Sequence, residues 1–146
     1  MNTHQKGFTL IESLLVLSIF MIISSITVFS LKPQHSVMED EAFLIQLKAD
    51  LYYAQQYAIS HHDEVSIVFV PDQYRYFLYL WPEPTPIVNR NYSTNIYLKE
   101  GSLPLYLKFL SDGNVNQFGN FFIQTKNKTY VITFLIGEGR FYVKEY

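Results

Sequence analysis

A chain of 146 residues supplies one domain's core and little beyond it. Hydrophobic residues at 49% against 16% charged exclude a disordered chain, and 11 Lys+Arg against 13 Asp+Glu exclude a nucleic-acid binder that works by bulk charge. The absence of cysteine excludes a disulfide scaffold, thiol catalysis and Cys-ligated zinc.

The N-terminal segment departs from that average composition. Residues 8–31 carry one charge, Glu12, and residues 13–31 carry none. As a helix the uncharged stretch would be about 28 Å long, close to the hydrocarbon thickness of a bilayer. A cleaved secretory signal would end in a small-x-small site, but this run ends Thr27-Val28-Phe29-Ser30-Leu31-Lys32. A plain signal anchor would explain the hydrophobicity and leave Glu12 without a reason. The string Lys6-Gly7-Phe8-Thr9-Leu10-Ile11-Glu12-Ser13-Leu14 resembles the cleavage and methylation signature of type IV pilins and type II secretion pseudopilins.

That resemblance implies a leader, residues 1–7, removed between Gly7 and Phe8 by a membrane prepilin peptidase that also N-methylates Phe8. It implies a transmembrane or filament-core helix over residues 8–31 and an extracytoplasmic globular domain over residues 32–146. Glu12, four residues past the cut, becomes the expected assembly and register residue. A carboxylate at that depth costs roughly 2.5–3.5 kcal/mol on insertion scales and usually has a partner. The free amine of a processed Phe8 would be the nearest cation. The alternative for Glu12 is a headgroup-level position near a helix N-terminus, where negative charge is mildly favoured.

Lys32-Pro33 is expected to interrupt or bend the helix. Helical spacing resumes over residues 36–60, with Phe43, Leu44, Leu47, Leu51, Ala54 and Ala58 on one face and Asp40, Glu41, Lys48 and Gln55 off it. Glu39-Asp40-Glu41 would sit in the early turns of this second helical half, favoured by its dipole.

After His61-His62 the period changes to two. Residues 65–70 and 74–81 read as a hairpin around Pro71-Asp72-Gln73, followed by a Pro-rich loop over residues 82–86. Residues 87–103 are ambiguous, with one short strand near 95–98. Further strands are expected at 105–110, 121–125, 130–136 and 141–144, separated by turns at 111–114, 126–128 and 137–139. Helix first and antiparallel strands after make an α+β domain. The order is similar to the pilin fold, a long N-terminal helix, membrane half plus amphipathic half, packed on an antiparallel sheet. The run from Tyr130 through Val143, with residues 109–113, resembles more specifically the H-type minor pseudopilins, a group that includes a component of the Gram-positive competence machinery. Two features common in major pilins are missing here: a Pro late in the apolar helix, where Phe29 stands, and a C-terminal disulfide. Both absences favour a minor or pseudopilin role.

Chemistry is otherwise sparse. His61-His62-Asp63-Glu64 at a helix-to-strand junction reads as a helix end rather than a metal site. Gly137-Glu138-Gly139 reads as a hairpin turn, not a phosphate loop. No catalytic constellation can be argued from spacing, so neither an enzyme nor a cofactor is expected. Residues 33–98 hold 3 basic and 8 acidic residues, and residues 99–146 hold 6 basic and 4 acidic. Lys126, Lys128, Arg140 and Lys144, with tyrosines between them, are the candidates for a weak DNA contact, although direct DNA binding is not expected. The expected partners are major and minor pseudopilins of the same machine, the prepilin peptidase and the membrane. The function implied is that of a minor pseudopilin in a competence, DNA-uptake pilus-like machine, the alternative being a minor pseudopilin of a type II secretion system.

Overall fold

The computed structural model describes residues 9–126, 128–137 and 139–146, and the backbone alone over residues 27–37. One long helix, α1 (Leu10–His61), precedes eight strands: β1 (Val65–Val70), β2 (Arg75–Leu80), β3 (Val88–Asn91), β4 (Tyr97–Glu100), β5 (Tyr106–Phe109), β6 (Gly119–Gln124), β7 (Thr129–Phe134) and β8 (Phe141–Glu145). The chain divides into two compact units, Met1–Met38 and Glu39–Tyr146.

In the first unit the apolar side chains of α1, Leu10 to Ile26, are exposed all round the helix. Its serines disturb that surface little, because their hydroxyls return to the helix's own carbonyls. Ser18 Oγ donates to Leu15 O at 2.8 Å and Ser25 Oγ to Met21 O at 2.9 Å. Among the described residues no helix is long and apolar enough to cross a membrane. The described side chains of the apolar run stop at Ile26, and the expected span continues outside them to Leu31.

Helix α1 is a single element through Lys32-Pro33, so that dipeptide does not end the helix. Two expectations change as a result. Glu39-Asp40-Glu41 lies in the interior of α1, far from any helix N-terminus, and the dipole explanation for it fails. Asp40, assigned to the outer face, is buried at 6% exposure.

In the second unit Phe43, Leu44, Leu47, Leu51, Ala54 and Ala58 form the buried stripe that the spacing predicts. The β-region forms two four-stranded antiparallel sheets, β3-β2-β1-β5 and β4-β6-β7-β8, where the sequence suggested one. The β1–β2 hairpin turns through the short 3-10 segment Pro71–Gln73, as expected. Strand β3, unread in the sequence, pairs with β2 in the register Arg75↔Asn91 to Leu78↔Val88. Inward residues of both sheets meet under the helix, with Phe69 5.2 Å from Phe121 and Phe109 6.4 Å from Phe134 between ring centroids. Among the described residues, all of the buried hydrophobic ones belong to this unit.

Candidate assembly site

Gly7 and Phe8, the expected cleavage pair, lie outside the described residues. Glu12 is described, exposed, in the first turn of α1. Thr9-Leu10-Ile11-Glu12 has the spacing of a capping box, and Glu12 Oε2 accepts from the Thr9 backbone N–H at 3.5 Å, the outer limit of a hydrogen bond. Its carboxylate therefore leans back along the helix toward Thr9.

A second polar feature, absent from the sequence reading, lies within the globular unit. Asp50, on the buried stripe of α1 at 5% exposure, gathers three side-chain donors. Tyr76 Oη on β2 donates to Oδ2 at 2.6 Å and Arg90 Nε on β3 to the same atom at 3.1 Å, while Gln46 Nε2 reaches Oδ1 at 2.9 Å. Burial, and then the bond to the Asp50 carboxylate, raise the pKa of Tyr76 far above its ordinary 10.0. The bond to Asp50 likewise raises that of Arg90. This network ties α1 to two strands of the first sheet. Beside it the Tyr92 hydroxyl, pushed up to about 12 mainly by burial, is a buried oxygen without a hydrogen-bond partner among the described residues. The signal for Asp50 was its spacing, three residues from Leu47 and four from Ala54 on the apolar face.

Two turns pack against the far end of α1. Gln55 Nε2 donates to Gly113 O at 3.0 Å, and both Gly113 (φ +80°) and Gly139 (φ +58°) hold left-handed backbone. A Cβ at Gly139 would run into the carbonyl oxygen of Gly113, so this close approach of two turns requires glycine. His61 is the last residue of α1 and stacks on Tyr57 with ring centroids 3.9 Å apart, which fits a helix end.

The four candidate DNA-contact residues are not brought together. Lys126 and Lys128 lie in the β6–β7 turn, and Lys144 in β8 pairs with Val131 near that end. Arg140 lies at the opposite turn of the β7–β8 hairpin, about 20 Å away along a six-residue strand. Lys128 is bound to Glu145 at 3.0 Å, which also raises its pKa.

With this geometry in view, comparison with known proteins identifies the chain's relatives. Residues 2–28 match the prokaryotic N-terminal methylation motif, a span that includes Gly7, Phe8 and Glu12. Over 137 residues the chain is 31% identical to competence protein ComGD of Bacillus subtilis (strain 168), covering 94% of this chain and 92% of that one. The chain belongs to the ComGD family. Its fold is similar to that of the type IV minor pilin FimU of Pseudomonas aeruginosa (TM-score 0.60, 21% identity, 71% of this chain and 91% of that one). It is also similar to the minor pseudopilin EpsH from the type 2 secretion system of Vibrio cholerae (TM-score 0.56, 15% identity, 73% and 97%). Helix packed on antiparallel sheets is thus the pilin fold.

Proposed function

We propose that this ComGD-family chain is a minor pseudopilin of a competence machine, acting as a structural and assembly component in DNA uptake rather than as an enzyme. The observation that carries the proposal is 31% identity to a competence protein over 94% of the chain, joined to an N-terminal methylation motif matched over residues 2–28. In this reading a prepilin peptidase cuts between Gly7 and Phe8 and methylates the new terminus. The helix from Phe8 through Leu31 anchors the protein by a single pass, and the globular unit stands outside the cytoplasm. Passing from membrane to pseudopilus then transfers the all-round apolar surface of α1 from lipid to neighbouring subunits without exposing it to water, whose contact that surface disfavours.

Glu12 supplies register. An ion pair between its carboxylate and the Phe8 ammonium of a neighbouring subunit need not add net stability in so apolar a setting. A subunit inserted out of step would leave that charge unpaired, at a cost of several kcal/mol. The type II secretion reading draws on likeness of fold, which the pilin and secretion proteins share. Deleting the gene should abolish transformation and leave protein secretion unchanged; lost secretion with normal transformation would reverse the assignment.

A further inference from the structure

The β4-β6-β7-β8 sheet turns its second face away from the core. Phe121, Ile123, Ile132, Phe134 and Phe141 are buried on the inner face, so by alternation Phe122, Val131, Thr133, Tyr142 and Lys144 point outward. The register sets these residues in rows across the sheet. One row runs Lys99, Phe122, Val131, Lys144; Tyr142 lies beside Thr133 in the row on one side, and Tyr97 beside Gln124 in the row on the other. Val131 and Thr133, on the strand between β6 and β8, are smaller than the residues flanking them, which leaves a groove of about 370 Å³ over β7. At one end Tyr146, 89% exposed, sets its ring 6.2 Å from that of Phe122 and perpendicular to it. Glu145 at the rim is held by Lys128 at 3.0 Å. The outer face of the other sheet carries similar residues, but its cations are spent: Arg75 lies 5.9 Å over the Phe77 ring, and Lys108 is paired with Glu64 at 3.0 Å. Among the described residues neither Lys99 nor Lys144 is in an ion pair.

We propose that this face binds a single strand of DNA, laid across the sheet from Lys99 to Lys144, with bases on the exposed rings and phosphates on the two lysines. Three inter-strand steps put the lysines about 14 Å apart, a width over which four-stranded sheets stack two or three bases. Exposed rings accept any base, and unpaired lysines beside them neutralise the backbone. A duplex fits less well, because its bases are already stacked on one another and the rings would meet only backbone. An apolar protein surface fits less well again, since it would bury two ammonium groups without a carboxylate for either. The occupant therefore needs anions at both edges of the face and flat groups between them, which is the order a single strand supplies. That the strand is DNA rather than RNA rests on the function proposed above. Of the basic residues singled out in the sequence, only Lys144 belongs to this site.

Full-length protein in detergent, titrated into a fluorescein-labelled oligothymidine strand, reads binding as anisotropy. Saturable binding is expected, with a Kd on the order of 10⁻⁵ M at low salt. An abasic strand of equal length and the annealed duplex should each bind about tenfold more weakly or worse, because neither offers a free base. Tyr142→Ala should weaken oligothymidine binding about tenfold, the scale of one stacked base, whereas Tyr142→Phe keeps the ring and should bind normally. Lys144→Gln should make the slope of log K against log salt shallower by about 0.7, one phosphate contact. Trp81→Ala removes a more exposed ring, just past β2 of the other sheet, and should change nothing. Should Tyr142→Ala fail to fold, the abasic strand and Lys144→Gln decide. No saturable binding, equal binding of the abasic strand or the duplex, an equal loss in Trp81→Ala, or an unchanged salt slope in Lys144→Gln would overturn the proposal. Unimpaired binding by Tyr142→Ala would overturn it as well, and lost transformation in that variant would then assign the face to a protein partner. Because binding is read outside the cell, a gene deletion that leaves transformation intact would defeat the competence function and not this site.

Discussion

Two carboxylates on one helix sit in opposite circumstances, and the contrast predicts opposite behaviour. Glu12 is exposed on an apolar helix and, among the described residues, its carboxylate accepts from the Thr9 backbone N–H. Glu12→Val should therefore leave peptidase cutting and membrane insertion intact, or improve insertion, while abolishing crosslinks to other pseudopilins and transformation. Glu12→Asp, with the charge kept and the reach shortened, should fall between. Normal crosslinking and transformation in Glu12→Val would reduce the residue to a headgroup-level charge. Asp50 is buried and bonded to Tyr76, Arg90 and Gln46, so its loss strands a buried hydroxyl. Asp50→Ala should lower the unfolding free energy by about 2–4 kcal/mol, less than for a wholly buried ion pair because Arg90 keeps access to water. Denaturant unfolding in detergent would measure it. The same network predicts alkaline sensitivity. The folded state holds the Tyr76 proton more tightly than the unfolded chain does, so its contribution is complete below the ordinary pKa of 10.0 and is lost as pH rises above it. Unfolding free energy should fall from about pH 10 upward, and Tyr76→Phe, weaker at neutral pH, should show a shallower fall. Identical alkaline slopes in both proteins would remove Tyr76 as the cause.

At the scale of elements, the two glycines of the β7–β8 turn look alike in sequence and differ in what surrounds them. Gly137 (φ +78°) has open space where a Cβ would go, whereas at Gly139 the Gly113 carbonyl already occupies that space. Gly137→Ala should cost about 1–2 kcal/mol, the left-handed penalty alone. Gly139→Ala should cost roughly 3 kcal/mol or more, because backbone cannot move aside as a side chain can. Equal thermal shifts for the two would contradict the contact between turns. The sequence makes neighbours in the chain legible and neighbours in space much less so. Strands β1, β2, β6, β7 and β8 follow from period-two runs between turn residues, and the inner face of α1 from threes and fours. Strand β3 escapes because Val88-Asn89-Arg90-Asn91 lies at a sheet edge and buries no residue fully, so no apolar alternation marks it. The same gap hides Arg90, and with it the partner that explains Asp50. The division into two sheets is likewise a matter of strand order, which local pattern does not encode. For the site, the methylation motif is wholly local and is read directly, whereas the candidate basic cluster depends on which ends of a hairpin meet, and Arg140 lies at the wrong end.

Across the whole molecule, labour is divided between the two units. Among the described residues, Glu39–Tyr146 holds the buried hydrophobic core, while the apolar side chains of Met1–Met38 bury almost nothing on their own. A surface of that kind is stable only when lipid or other subunits cover it, which suits a subunit that begins in a membrane and ends in a fibre. Removing residues 1–7 would take Lys6 away and leave 10 Lys+Arg against 13 Asp+Glu, so any attraction to DNA would rest on local features rather than on net charge. All of this depends on the chain being a processed prepilin. The most direct measurement is mass spectrometry of the mature N-terminus in protein taken from native membranes. The account predicts a chain that starts at Phe8 and carries a methyl group on its amine; a chain that keeps Met1, or one cut beyond Phe29, would contradict it.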